Sequence, residues 1–276
     1  MIDAYLDESG IQAGAPVCVI AGYYGGQGQW RKFEADWKKL LQRFDLPMEK
    51  FHAKDLLKRA GFFHDRERWT ADKHERFLVA AGETITRWKV YPVSSSVIVR
   101  DFNSFSEIHR RFLTGATLKD GRLVSTGSPN KPYFVPFIHC VRRIASYAPV
   151  GGKAHFFFGL DRTFKEYAVA LYAEIKSNPI NPYIERLGDT GFPLASETAQ
   201  LQASDLLVHL TYRFAQERTA ANDWSVLPQG LLLTCLSRTV ENEDHTYYDE
   251  PTMTGSIQEI RNIYSRAGSD LSAIGF

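Results

Sequence analysis

Four acidic side chains stand where the surrounding pattern favours apolar residues, and they are where this chain could do chemistry. Asp7 and Glu8 follow the apolar run 2–6 in the opening MIDAYLDESG, Asp161 follows AHFFFGL, and Asp205 lies inside LQASDLLVH. Carboxylates drawn from separate elements are the donor set of hard divalent cations such as Mg²⁺ and Mn²⁺, which prefer oxygen ligands and retain several waters. Two such ions about 3.5–4 Å apart activate a water and stabilise the leaving oxygen of a phosphodiester. Clustered without a cation, the same acids repel one another and raise each other's pKa. The chemistry indicated is hydrolysis of a phosphodiester by metal-activated water, with Asp7, Asp161 and Asp205 as catalytic ligands and Glu8 as a fourth.

Each acid also has a structural account. DESG is turn chemistry, since Asp and Ser offer acceptors and Gly permits a positive φ. In a strand Asp7 and Glu8 face opposite ways, and parity alone does not say which of them shares a site with Asp161. Asp161 suits the cap of a helix beginning near Phe164. The helix around Asp205 is apolar nearly all round: Ala203, Leu206, Leu207, Leu210 and Phe214 form one stripe, and Leu201, Val208 and Tyr212 flank the acid. A carboxylate buried there needs compensation, from a metal ion, Arg213 or His209. His52 is a candidate for proton transfer or phosphate contact, its plainer account being a helix-entry residue packed on Phe51. Glu197, two helical turns before Asp205, is a further candidate ligand.

Charge bears on partners. Lys and Arg total 33 against 32 Asp and Glu, a formal +1, so no whole-molecule field steers the chain toward nucleic acid or an anionic membrane. A local group, Lys58, Arg59, Arg66 and Arg68 with Phe62, Phe63, Trp69 and His64, has the mixture that holds phosphates and stacks unpaired bases. The commoner account of such a segment is solvated helix faces and a loop that buries its aromatics.

The elements that must position these residues follow from periodicity. The chain has 276 residues, 44% hydrophobic and 24% charged, enough for a sizeable core and incompatible with a mostly disordered chain. Residues 2–6 and 17–24 read as an antiparallel hairpin, and 27–44 as a helix with Trp30, Phe33, Trp37, Leu40 and Leu41 on one face. Residues 51–59 read as a short helical segment, 70–88 as a helix capped by Thr70, and 90–99 as a strand. Helices are expected at 105–113 and 133–147, with a polar loop at 119–132 between them. A buried strand follows at 154–160, then a helix at 164–175, an edge strand near 184–187 and a long helix at 196–216. An apolar helix at 227–236 and a mixed tail complete the chain. Cys18, Cys140 and Cys235 sit among apolar neighbours and read as buried reduced thiols. No run of 18 apolar residues is present, and the opening lacks the basic and apolar regions of a signal peptide, so the expected compartment is cytoplasmic with no membrane partner.

The phrases MIDAYLDESG, FHAKDL at 51–56, AHFFFGLDRT and LQASDLLVH, in that order, resemble the family known as domain of unknown function 3800. The resemblance runs from residue 1 to about 216. It implies an α/β, ribonuclease H-like fold: a five-stranded mixed sheet flanked by helices, here with helical insertions and a C-terminal extension, and with strand-end acids binding Mg²⁺ or Mn²⁺. Asp7 and Glu8 match the DESG acids, Asp161 the mid-chain strand acid, and Asp205 the acid of the late helix. The expected organisation is a core over 1–216 and an extension over 217–276 packed on the same domain. The expected activity is that of a metal-dependent nuclease or phosphodiesterase. The alternative is a non-catalytic ribonuclease H-like module that binds nucleic acid or protein. No GxxxxGK[ST], no GxGxxG after a strand, no GxSxG and no HExxH occurs, which argues against P-loop, dinucleotide-binding, ordinary α/β-hydrolase and zincin chemistry.

Overall fold

The computed structural model describes residues 1–119, 122–159, 162–179, 181–221 and 244–266. Its centre is a six-stranded mixed sheet with helices on both faces. The strands of the sheet are β1 (Ile2–Ser9), β2 (Val17–Gly25), β3 (Tyr91–Ile98), β6 (Ala154–Phe158), β7 (Leu187–Gly191) and β8 (Asp244–Tyr248). They lie in the order β7-β6-β1-β2-β3-β8. β1, β2 and β3 are successively antiparallel, whereas β6 runs parallel to β1, β7 parallel to β6, and β8 parallel to β3. A separate small hairpin joins β4 (Ala116–Lys119) to β5 (Arg122–Ser125).

Strand alternation sorts the apolar residues into two cores. Val17, Val19, Ala21 and Tyr23 face α1 (Gln27–Arg43), α3 (Ala71–Arg87) and α8 (Ala199–Ala221). Cys18, Ile20, Ala4, Leu6, Phe156 and Phe158 face α6 (Phe134–Tyr147), α7 (Arg162–Ser177) and α9 (Glu250–Arg266). α1 buries the predicted stripe Trp30, Phe33, Trp37, Leu40 and Leu41, and the Thr70 hydroxyl caps α3 by accepting the Lys73 N–H at 3.2 Å. Polar bonds fix α8 within its core. The Trp37 indole N–H donates to Gln202 Oε1 at 2.9 Å, and Gln202 Nε2 donates to the Met48 carbonyl at 2.7 Å.

Several elements differ from the sequence reading. β1 does not end at Leu6: Asp7, Glu8 and Ser9 continue the ladder opposite Ala21, Ile20 and Val19, because β2 extends far enough to pair with them. The DESG acids are therefore strand residues, and the turn begins at Gly10, whose φ is +76°. The helix expected at 105–113 is α5 (Glu107–Thr114), capped by Ser106, and a short helix that was not expected, α4 (Val99–Ser104), precedes it. The polar stretch 119–132 includes β5, and the edge strand near 184–187 begins at Leu187 after a 3₁₀ turn. In the C-terminal extension β8 adds to the sheet edge at β3, and Met253 and Ile257 of α9 enter the second core. The apolar helix expected at 227–236, with Cys235, falls outside the described residues; Cys18 and Cys140 are buried thiols. No helix among the described residues is long and apolar enough to cross a membrane.

Candidate functional site

Because β1 and β6 are parallel neighbours, their carboxyl ends lie side by side, the edge at which open α/β sheets bind ligands. Asp7 stands at this edge. Alternation places it with Asp3 and Tyr5 on the α8 face and sends Glu8 out on the face of Ala4 and Leu6. The parity left open by the sequence is thus decided by α8, which lies along β1: Ser204 Oγ donates to the Tyr5 carbonyl at 2.8 Å, and Asp205 is the next residue. The Asp7 carboxyl leans onto the end of β6, where a β-carbon at Gly159 would stand 2.6 Å from Asp7 Oδ1. The Gly159 N–H donates to the Leu6 carbonyl at 3.1 Å, which holds the two strand ends together.

Asp7 is electrostatically unusual. Burial holds its carboxyl pKa well above the ordinary aspartate value, and the neighbouring charges of Glu8 and then Asp205 raise it further. The Glu8 backbone N–H, donating to Oδ1 at 3.0 Å, opposes them in part. The charges of two other predicted acids, Glu8 and Asp205, are therefore felt at Asp7, although Glu8 starts from the opposite face of the pleat.

Asp205 is 7% exposed and is compensated from the segment FHAKDL. Its Oδ2 accepts the backbone N–H of Ala53 at 2.8 Å, at the start of α2 (Ala53–Lys58). His52 Nδ1 lies 3.7 Å from the same oxygen, and His209 Nδ1 lies 3.1 Å from Oδ1. The two imidazoles stand edge to face, with centroids 6.2 Å apart. His52 is the helix-entry residue of α2, as its plainer account has it, and its side chain, 58% exposed, also stands beside Asp205. Arg213, considered as the compensating cation, is exposed to solvent, and His209 is the helical neighbour whose Nδ1 lies beside Asp205. The Asp205–His209 spacing of four is a helical-neighbour signal present in the sequence. The Ala53 N–H carried no signal there, because it is a tertiary contact.

The remaining candidates divide. Glu197 is exposed on a 3₁₀ turn, Ala195–Glu197, that precedes α8, so it is not on the helix that carries Asp205. Asp161 lies outside the described residues. In the basic segment, Phe63 and Trp69 are fully buried in the α8-side core and are closed to base stacking. The Arg59 guanidinium donates to the Trp69 carbonyl at 2.6 Å, and that of Arg68 sits over the Phe62 ring at 4.7 Å. Both hold the loop. Lys58 and Arg66 are exposed.

Among the described residues, no three His, Cys, Asp or Glu side chains are gathered closely enough to hold a metal ion. No family model, no curated protein and no solved structure matches the chain.

Proposed function

We propose that the chain is a metal-dependent phosphodiesterase that acts on nucleic acid, a nuclease of the domain of unknown function 3800 kind on a ribonuclease H-like sheet. Asp7, Asp205 and Asp161 hold Mg²⁺ or Mn²⁺, with Glu8 beside Asp7. The observation that carries this reading is that Asp7 stands at the joined ends of β1 and β6, two residues short of Asp161 in the chain, and feels the charge of Asp205, which is distant in sequence. Setting β8 aside leaves a five-stranded mixed sheet of the expected kind, which supports the fold assignment. The donors fit a hard cation: they are carboxylate oxygens, and the burial and neighbouring negative charge that raise Asp7 are what a divalent charge would offset.

A bound cation supplies Lewis acidity toward a phosphodiester oxygen and neutralises charge that develops on phosphorus. The chain's own residues do the positioning. Asp205 is held by the hydrogen bond from the Ala53 N–H, with His209 Nδ1 beside its other oxygen. Asp7 is fixed by its strand and by the Glu8 N–H. His52, exposed beside Asp205, is placed to meet a phosphate or to exchange a proton with a leaving oxygen.

The test is cleavage of labelled DNA and RNA with Mn²⁺, together with thermal unfolding in millimolar Mn²⁺ against EDTA. A cation that binds only the folded state raises the unfolding temperature by mass action. Asp7→Asn and Asp205→Asn are expected to abolish both responses. Full activity in either variant removes that residue from the mechanism, and no Mn²⁺ response in the parent overturns the proposal. One observation favours the non-catalytic alternative: Asp205 already has a structural task in anchoring α2. That reading expects nucleic-acid or protein binding that survives EDTA, with no cleavage under any metal.

A further inference from the structure

The segment that anchors on Asp205 is also the most basic stretch beside the acid site. Between Lys50 and Arg68 the chain carries six Lys and Arg against three Asp and Glu, in a molecule whose net charge is +1. Lys50 lies on the 3₁₀ turn before α2, and the structure divides the other five cations into two classes. Arg59 and Arg68 are spent on the loop itself, the first on the Trp69 carbonyl, the second on the Phe62 ring and, at 3.4 Å, the Asp45 carbonyl. Lys54, Lys58 and Arg66 are exposed, and among the described residues no carboxylate pairs with them.

Two of the three local acids are turned to other tasks. Asp55 faces Gly61, where a β-carbon would stand 2.6 Å from its Oδ2. Asp65 accepts the backbone N–H groups of Glu67 and Arg68 at 3.0 and 3.1 Å. Glu67 is the exposed acid that remains. Positive charge at the far end of α2 is felt inside the protein as well. His74, whose Nε2 lies 2.8 Å from the Leu56 carbonyl, is shifted below the ordinary histidine range, chiefly by burial and further by Arg59 and Arg66.

Lys54 directly follows Ala53, whose N–H is bonded to Asp205, and Lys58 is one helical turn further along the same exposed face. We propose that Lys54, Lys58 and Arg66 form the track along which a single nucleic-acid strand lies as one of its phosphates enters the Asp7–Asp205 site. The track reads backbone charge and not base identity, because Phe63 and Trp69 are in the core and the partly buried Phe62 lies beneath the Arg68 guanidinium. This inference rests on the nuclease reading and adds the residues that position the substrate.

The experiment is fluorescence anisotropy of a labelled single-stranded 20-mer, as DNA and as RNA, with the full chain in EDTA over a salt series. The Lys54→Ala/Lys58→Ala/Arg66→Ala triple variant is compared with the parent. Each phosphate contact on a single strand contributes a slope of about 0.7 in log K against log salt, so loss of three contacts lowers the slope by about 2. Affinity at low salt is expected to fall at least tenfold. Arg68→Ala is expected to leave slope and affinity unchanged. An unchanged slope in the triple variant, or a parent that binds neither strand at low salt, overturns the track. The Mn²⁺ thermal shift is measured on the same proteins and separates the two ideas. A triple variant that keeps the shift but loses binding supports the track, whereas a parent with strong binding and no shift retains the track and removes the nuclease.

Discussion

The carboxyl of Asp7 fills the space that a side chain at Gly159 would need: Oδ1 stands 2.6 Å from the position of a β-carbon there. A bare glycine at the end of β6 lets the acid of β1 cross to the neighbouring strand's end. Gly159→Ala is expected to push the Asp7 carboxyl away, at an overpacking cost of about 1–3 kcal/mol. Loss of the Mn²⁺-dependent thermal shift with a retained far-UV circular dichroism spectrum would show the displacement. An unaltered shift would mean that the contact does not set the position of Asp7.

Asp7 also sets a pH dependence. Its folded pKa lies well above the unfolded value, so the folded state binds the extra proton. Stability without metal is therefore greatest at acid pH with respect to this group. It declines as pH rises above about 4, until the folded pKa is passed. Asp7→Asn removes the decline and is expected to stabilise the metal-free chain at pH 7 by about 0.5–2 kcal/mol, as other single stabilising substitutions do. Urea unfolding of both proteins at pH 5 and pH 8 checks this; a variant less stable than the parent at pH 8 contradicts it.

Asp205 has two functions that different substitutions separate. Asp205→Asn keeps an oxygen for the Ala53 N–H and should cost little stability while losing the cation response. Asp205→Ala leaves that buried N–H without its acceptor, at about 1–3 kcal/mol. Hydrogen exchange at Ala53 reads the difference directly, with fast exchange expected in the alanine variant and slow exchange in the asparagine variant.

Trp69 and Phe63 are core residues and not a base-stacking platform. Trp69→Ala is expected to lower stability by about 3–5 kcal/mol. The conservative Trp69→Phe should retain nucleic-acid affinity in the anisotropy assay. An affinity loss in Trp69→Phe without loss of stability would return the ring to the binding surface.

Residues near one another in the chain carried their structure openly. The stripe of α1, the Thr70 cap, the β1–β2 hairpin and the buried strand β6 follow from spacings of 3.6 and 2, which local sequence expresses directly. The small hairpin of β4 and β5 and the additions of β8 and α9 did not, because short strands and edge additions depend on partners elsewhere in the fold more than on their own composition.

The same division runs through the site. That Asp7 and Asp205 are chemically unusual for their surroundings was determined by sequence alone, since an acid in an apolar context stands out wherever the chain goes. Which of Asp7 and Glu8 turns toward α8, that His209 and not Arg213 faces Asp205, and that Arg59 and Arg68 hold a loop while Lys54 and Lys58 remain open were decided by tertiary structure. Each of these depends on which face of one element meets another, and that choice is made by the packing of the two cores against a single sheet.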